Sequence, residues 1–131
     1  MEIVRSVNNF EYMYDALADA SACASAISKK TDNFILITCE DANWSEGLEI
    51  LKSKCKAMFY IGKPDAKIMF TTRSFIPFVM QAENIEDAVM LASQFKVSGV
   101  SKIIFIPGVE NSNGFSTGKM IEHFKNAVNN I

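Results

Sequence analysis

Metal-ligand clusters, membrane spans and charge of a single sign are all missing from this sequence. It has one histidine, His123, and three cysteines, Cys23, Cys39 and Cys55, with no CxxC pair among them. No zinc site of ordinary ligand spacing can be assembled from that set. Three widely spaced, apolar-flanked thiols suit a reducing cytosol better than a disulfide framework. Thirteen basic and fifteen acidic residues give a net charge of -2. They are mixed along the chain, so there is no broad field for nucleic acid or anionic lipid. Lys29–Lys30 and Lys52/Lys54/Lys56 read as solvated helix edges. No apolar run reaches bilayer length, and the opening MEIVRSVNNFEY lacks the charged-then-apolar order of a secretion signal. Internal repeats, low-complexity tracts and linkers are also missing. These absences point to one cytoplasmic, soluble domain with neither nucleic acid nor membrane as partner.

What is present is a globular composition: 131 residues, 49% hydrophobic and 21% charged, enough to bury a core without staples. Residues Ile3 to Tyr14 are rich in β-formers around Asn8–Asn9, which predicts a hairpin. The alanine-rich stretch DALADASACASAISKK predicts a helix capped by Asp15 or Asp19 and broken at Thr31–Asp32–Asn33. Phe34 to Cys39 and Lys56 to Ile61 are continuous apolar runs, as in strands buried on both faces. Between them a helix is expected from Trp44 to Lys54, with Trp44, Leu48 and Leu51 on one side. Pro64 suits the first turn of a short helix, and Pro77 closes it before a strand over Phe78 to Gln81. Asn84 and Asp87 form a capping arrangement for a helix whose stripe is Ile85, Ala88, Val89, Ala92 and Phe95. A last strand, Lys102 to Ile106, leads through a loop to a helix presenting Met120, Ile121, Phe124, Ala127 and Val128.

Strand and helix thus alternate after an opening hairpin. The expected fold is α/β, three-layered and Rossmann-like, with a mainly parallel sheet of about six strands, the N-terminal hairpin among them, and helices on both faces. In such folds ligands bind where strands end and helices begin, which directs attention to the loop Pro107 to Lys119. Its GFSTGKM is one residue short of the phosphate-loop spacing, and Met120 stands where a magnesium-binding hydroxyl would be needed. A weaker role, an anion held near Ser116, Thr117 and Lys119 at a helix start, competes with simple turn and cap chemistry. His123 has no identifiable nucleophile partner and reads as a surface histidine. Cys39 is the thiol placed at a strand end to face a ligand, and Glu40 and Asp41 beside it suit magnesium or a sugar hydroxyl. Packing for the thiol and solvation for the carboxylates are the simpler readings. Trp44 reads as core.

The chain resembles, end to end, the C-terminal domain of the Mur ligases, closest to the ligase that adds D-glutamate to UDP-N-acetylmuramoyl-L-alanine. EIVRSVNNFEYMYDALADAS is similar to that family's E-x-V-x-x-x-N-G-V-x-x-x-N-D-S-K-A-T-N segment. KCKAMFYIGKPDAKI resembles its middle strand and following helix, and AENIEDAVMLASQF its D-x-E-E-A-V-x-x-A helix. FIPGVENSNGFSTGKMIEHFKNAV follows its L-S-P-A-C-A-S-F-D-x-F-K-N segment in layout, about one residue shorter. The order and spacing of these segments carry the resemblance.

The resemblance implies a domain that closes over a separate ATP- and magnesium-binding domain and positions an incoming amino acid. Little of that apparatus is retained. The family's lysine falls on Leu17, its threonine on Asp19, the serine of SPACAS on Ile106, and its late arginine–glycine pair near Met120 to Glu122. Asp15 matches the aspartate near the nucleotide, and Phe115 matches the aromatic of the amino-acid pocket. Charge-assisted donors to a dicarboxylate are worth roughly 1.5–3 kcal/mol each, so losing two weakens binding by roughly two to four orders of magnitude. The expectation is a stand-alone, non-catalytic interaction module related to peptidoglycan precursor synthesis. Its candidate ligand contacts are Asp15, Phe115, Ser116, Thr117 and Lys119, with no metal or cofactor of its own. ATP and magnesium would be reached only through a partner domain. Two alternatives stand beside it: the amino-acid-binding part of an ADP-forming amide ligase working in trans on a Mur-type partner, and a binder of a small anion or nucleotide.

Overall fold

Phe34–Cys39 is buried at every position, so this run can only sit in the middle of a covered sheet. In the computed structural model it is β3, central in the order β1-β2-β6-β3-β4-β5. Residues 3–5, 10–13, 20–40, 42–95, 102–106 and 114–130 are described, with backbone alone for 3–5, 10–13 and 114–118. The body of the sheet is the parallel set β6 (Lys102–Phe105), β3, β4 (Cys55–Ile61) and β5 (Val79–Ala82). At its β6 side, β2 (Phe10–Met13) adds in parallel, and β1 (Ile3–Arg5) pairs antiparallel with β2. That pairing is the expected hairpin; its turn around Asn8–Asn9 lies outside the described residues.

Alternation along the strands sorts the core into two halves. On one face Phe34, Leu36, Met58, Tyr60, Val79 and Ile104 meet α1 (Ala20–Lys30), Trp44, α2 (Leu48–Leu51) and α3 (Ala66–Arg73). On the other, Ile35, Ile37, Phe59, Ile103 and Phe105 meet α4 (Ile85–Gln94) and α5 (Gly114–Asn129). The result is an α/β fold with helices on both faces of a parallel sheet. No helix among the described residues is long and apolar enough to cross a membrane.

Several expectations shift at the element ends. The helix expected over Trp44 to Lys54 is a 3-10 turn, Ser45–Gly47, followed by the single α-turn of α2. Gly47 is held under α1, where an added Cβ would stand 2.6 Å from the Ala20 carbonyl oxygen. Pro64 lies before α3 rather than in it: Asp65 is the N-cap, its side chain accepting from the Lys67 N–H at 2.7 Å. Strand β5 starts one residue later than expected, at Val79. Helix α4 ends at Gln94 with Phe95 as its C-cap, and its N-cap is as read. Asn84 Oδ1 accepts from Asp87 N–H at 2.8 Å, and Asp87 Oδ2 accepts from Glu83 N–H at 2.9 Å. The turn at Asp32–Asn33 places Asn33 at φ 55°, a left-handed conformation that asparagine tolerates.

Candidate functional site

Two neighbouring parallel strands send their chains to opposite faces. After β3 the chain turns to α2 on one face, and after β6 it reaches α5 on the other. The crevice outside the carboxyl ends of β3 and β6 is therefore the topological switch point, where this class of sheet takes ligands.

The described groups at that crevice are largely occupied with one another. Ile106 is fully buried, and its N–H donates to Ile37 O at 2.9 Å. Cys39, 6% exposed, lies with its sulfur 4.0 Å from that of Met120 on α5. Glu40 is exposed but engaged: its Oε2 accepts the Lys63 N–H at 2.7 Å. Its own N–H donates to Ile61 O at 3.0 Å, and Gly62 N–H donates to Ala82 O at 2.8 Å. The carboxyl ends of β3, β4 and β5 are thereby laced together. Gly62 has φ +95°, and a Cβ there would meet the Glu40 carboxylate at 2.7 Å. The sequence alone reads Glu40 as a solvated carboxylate and misses this contact; the signal available is only an acid and a glycine each following a buried strand. The Cys39 thiol packs against Met120, the simpler of its two readings.

The expected loop Pro107 to Lys119 is also corrected. Helix α5 begins at Gly114, so Gly118 and Lys119 lie within it. Phe115, Ser116, Thr117 and Lys119 thus follow one another along the first two turns of α5, beside the crevice. Lys119 is exposed; of Phe115, Ser116 and Thr117 only the helical backbone is described. Asp15 and Asp41 lie outside the described residues.

The remaining polar side chains near the carboxyl ends have structural partners. Trp44 is core as expected, its Nε1–H donating to Thr38 Oγ1 at 3.1 Å in a buried pair. Thr72 Oγ1 donates to Ile68 O at 2.8 Å and lies 3.0 Å from the Tyr60 hydroxyl, which therefore donates to it. Burial raises the Tyr60 pKa. Burial pushes the Cys55 thiol up to about 12, against weaker opposing bonds from the Ala57 and Leu36 backbone and the Lys56 charge. A thiol held neutral in this way is a poor nucleophile. His123 is a surface residue, as expected, with its Nε2 paired to Glu86 Oε2 across α4 and α5. Among the described residues, no three His, Cys, Asp or Glu side chains are grouped to hold a metal.

No family model matches the chain, and no curated protein does. A solved structure does: the crystal structure of a domain from a protein assigned as a UDP-N-acetylmuramate:L-alanyl-gamma-D-glutamyl-meso-diaminopimelate ligase of Haemophilus ducreyi 35000HP. The TM-score is 0.60 at 16% identity, over 97% of this chain and 98% of that one. The class defined here is thus an α/β domain with a Mur-ligase-like fold. The solved domain is assigned to a different ligase from the D-glutamate-adding enzyme that the motifs resemble. What the two likenesses share is the fold.

Proposed function

We propose that the chain is a non-catalytic binding or interaction module built on a Mur-ligase C-terminal-like domain, acting beside peptidoglycan precursor synthesis in the cytoplasm. The observation that supports this is that the described groups at the carboxyl ends of β3 and β6 are occupied with one another. Cys39 is covered by Met120, Ile106 is fully buried where the resemblance puts the family's serine, and Glu40 is held by the Lys63 N–H. A catalytic crevice keeps polar groups aimed at the reacting atoms; these groups are spent on the fold. The test is turnover of ATP and joining of amino acid to UDP-sugar by the purified protein. Turnover above background sinks the reading.

A second reading is favoured by the placement of Phe115 and Lys119 on the opening turns of α5, at the crevice mouth. In it the chain supplies an amino-acid contact to a Mur-type ligase that brings ATP and magnesium. Asp15→Ala and Phe115→Ala lower the activity of the mixture if this is right, and a mixture indifferent to both removes it. A thermal-shift series with nucleotides, UDP-sugars and amino acids separates a small anionic ligand from a protein partner, because a ligand that binds the folded state raises its stability.

A further inference from the structure

The lysines that look scattered in sequence converge at one end of the molecule. Lys29 and Lys30 close α1, which delivers the chain to the start of β3. The register Lys102↔Phe34↔Cys55 then aligns the starts of β6, β3 and β4. Lys52 and Lys54 stand just before β4 and Lys56 just inside it. Neighbouring strands lie about 4.8 Å apart, so Lys102 and the β4 lysines are separated at the backbone by about 10 Å. The described acids at this end are Asp32, 3.0 Å from Lys54, and Glu49, 2.7 Å from Lys52. Lys29, Lys30 and Lys56 add positive charge at this end, as does Arg73 at the close of α3. At the opposite end the described acids Glu40, Asp65, Glu83, Glu86 and Asp87 outnumber Lys63, Lys67 and Lys119. The fold therefore separates charge along the strand axis in a chain whose net charge is only -2.

An apolar element borders the basic end. Phe78, 38% exposed just before β5, packs on Phe95 at the end of α4 with ring centroids 4.4 Å apart. Lys56 stands two residues before Met58, whose pairing partner Val79 follows Phe78, so this end carries both steering charge and an apolar anchor.

We infer that the amino-terminal end of the sheet, centred on Lys29, Lys30 and Lys56, is a docking surface for an acidic segment of a partner protein. This deepens the interaction-module reading and rests on it. A short acidic segment matches both the small extent of the patch and its charge. A long polyanion would run on toward the acidic end and be repelled there, and anionic lipid would need a broader basic face. Binding falls with salt because the contact is exposed and ionic.

The experiment measures fluorescence anisotropy of a labelled oligoglutamate peptide with the intact protein at about 0.15 M salt. A neutral Gly/Ser peptide, an oligothymidylate and phosphatidylserine-containing vesicles are run in parallel. Two charge-matched variants separate the local patch from overall charge: Lys29→Glu/Lys30→Glu at the basic end and Lys63→Glu/Lys67→Glu at the other. The expected result is oligoglutamate binding that weakens about tenfold or more in the first variant. In the second it weakens less than about threefold, and higher salt weakens it in both. Lys56→Gln, which keeps α1 unchanged, lowers affinity in the same direction. Thermal melts confirm that the variants compared are folded. No peptide binding, equal loss in both charge variants, or tighter binding to oligothymidylate or vesicles overturns the assignment. ATP turnover, which decides the non-catalytic reading, is measured separately on the same protein, so the two failures are distinct.

Discussion

The Glu40 carboxylate accepts the Lys63 backbone N–H at 2.7 Å and closes over Gly62, so the turn after β4 is shaped by a side chain from the end of β3. Gly62 is needed there twice: its φ is +95°, and a Cβ would strike that carboxylate. Gly62→Ala is therefore expected to destabilise the fold by about 1–3 kcal/mol. Glu40→Ala removes a hydrogen bond worth about 1 kcal/mol. It also removes the steric obstacle, so the double variant loses less than the sum of the two, and only the backbone strain remains. Urea unfolding of the four proteins measures the coupling. Strict additivity would show that the carboxylate and the glycine do not meet.

Trp44 and Thr38 make a buried polar pair on the α1 side of the core. Thr38→Val keeps the shape of the side chain but leaves the indole N–H without its acceptor, an expected loss of about 1–3 kcal/mol. Trp44→Phe removes that donor altogether, so Thr38→Val costs less when made in the Trp44→Phe variant than in the native protein. A chemical-denaturation double-mutant cycle reads the difference directly.

How far the sequence discloses these features depends on the distance over which each is determined. The α4 cap is legible because Asn84 and Asp87 lie three residues apart and answer each other locally. The buried strands are legible from continuous apolar runs, and the faces of α4 and α5 from their periodicity. The start of α5 is not. Gly114 and Gly118 favour a loop by propensity, yet Ile121, Phe124, Ala127 and Val128 dock on the sheet, and tertiary packing overrides propensity. The Glu40–Lys63 contact joins residues far apart in sequence through the pairing Cys39↔Ile61, which no local pattern encodes. The basic end is hidden for the same reason. Lys54 and Lys102 come to the same end of the sheet only when β6 inserts beside β3. Of the candidate site, the sequence locates the crevice through its strand ends, while the contacts that fill it depend on register.

Cys55 gives the fold a defined weakness toward alkali. Its thiol is raised from 9.0 to about 12 by burial, so the folded protein holds its proton where the unfolded chain releases it. The resulting stability is present in full below pH 9 and is lost as the pH rises toward 12, at up to about 1.4 kcal/mol per pH unit. Burial raises Tyr60 as well, which has the same sign and begins to act above its ordinary value of 10.0. Stability measured between about pH 8 and about pH 11 should fall steeply in the native protein. The fall should be shallower in Cys55→Ala, once that variant's constant loss from the vacated volume is subtracted. A slope identical in both would remove Cys55 as its source.

Adjacent residues of α5 separate surface from core. His123 pairs with Glu86 across the helices, but both side chains are about half exposed, at 54% and 51%. Such a pair is worth at most about 1 kcal/mol and is screened by salt. Phe124 is fully buried and stacks on Phe105 with ring centroids 4.7 Å apart at 24°. His123→Ala is therefore expected to change stability by less than about 1 kcal/mol. Phe124→Ala, which opens a cavity where α5 meets β6, is expected to lose about 3–5 kcal/mol. The two variants also test the surface reading of His123. If His123→Ala destabilised the fold as much as Phe124→Ala, the histidine would have to be anchoring α5, and the packing of Phe124 on Phe105 could no longer be what holds that helix to the sheet.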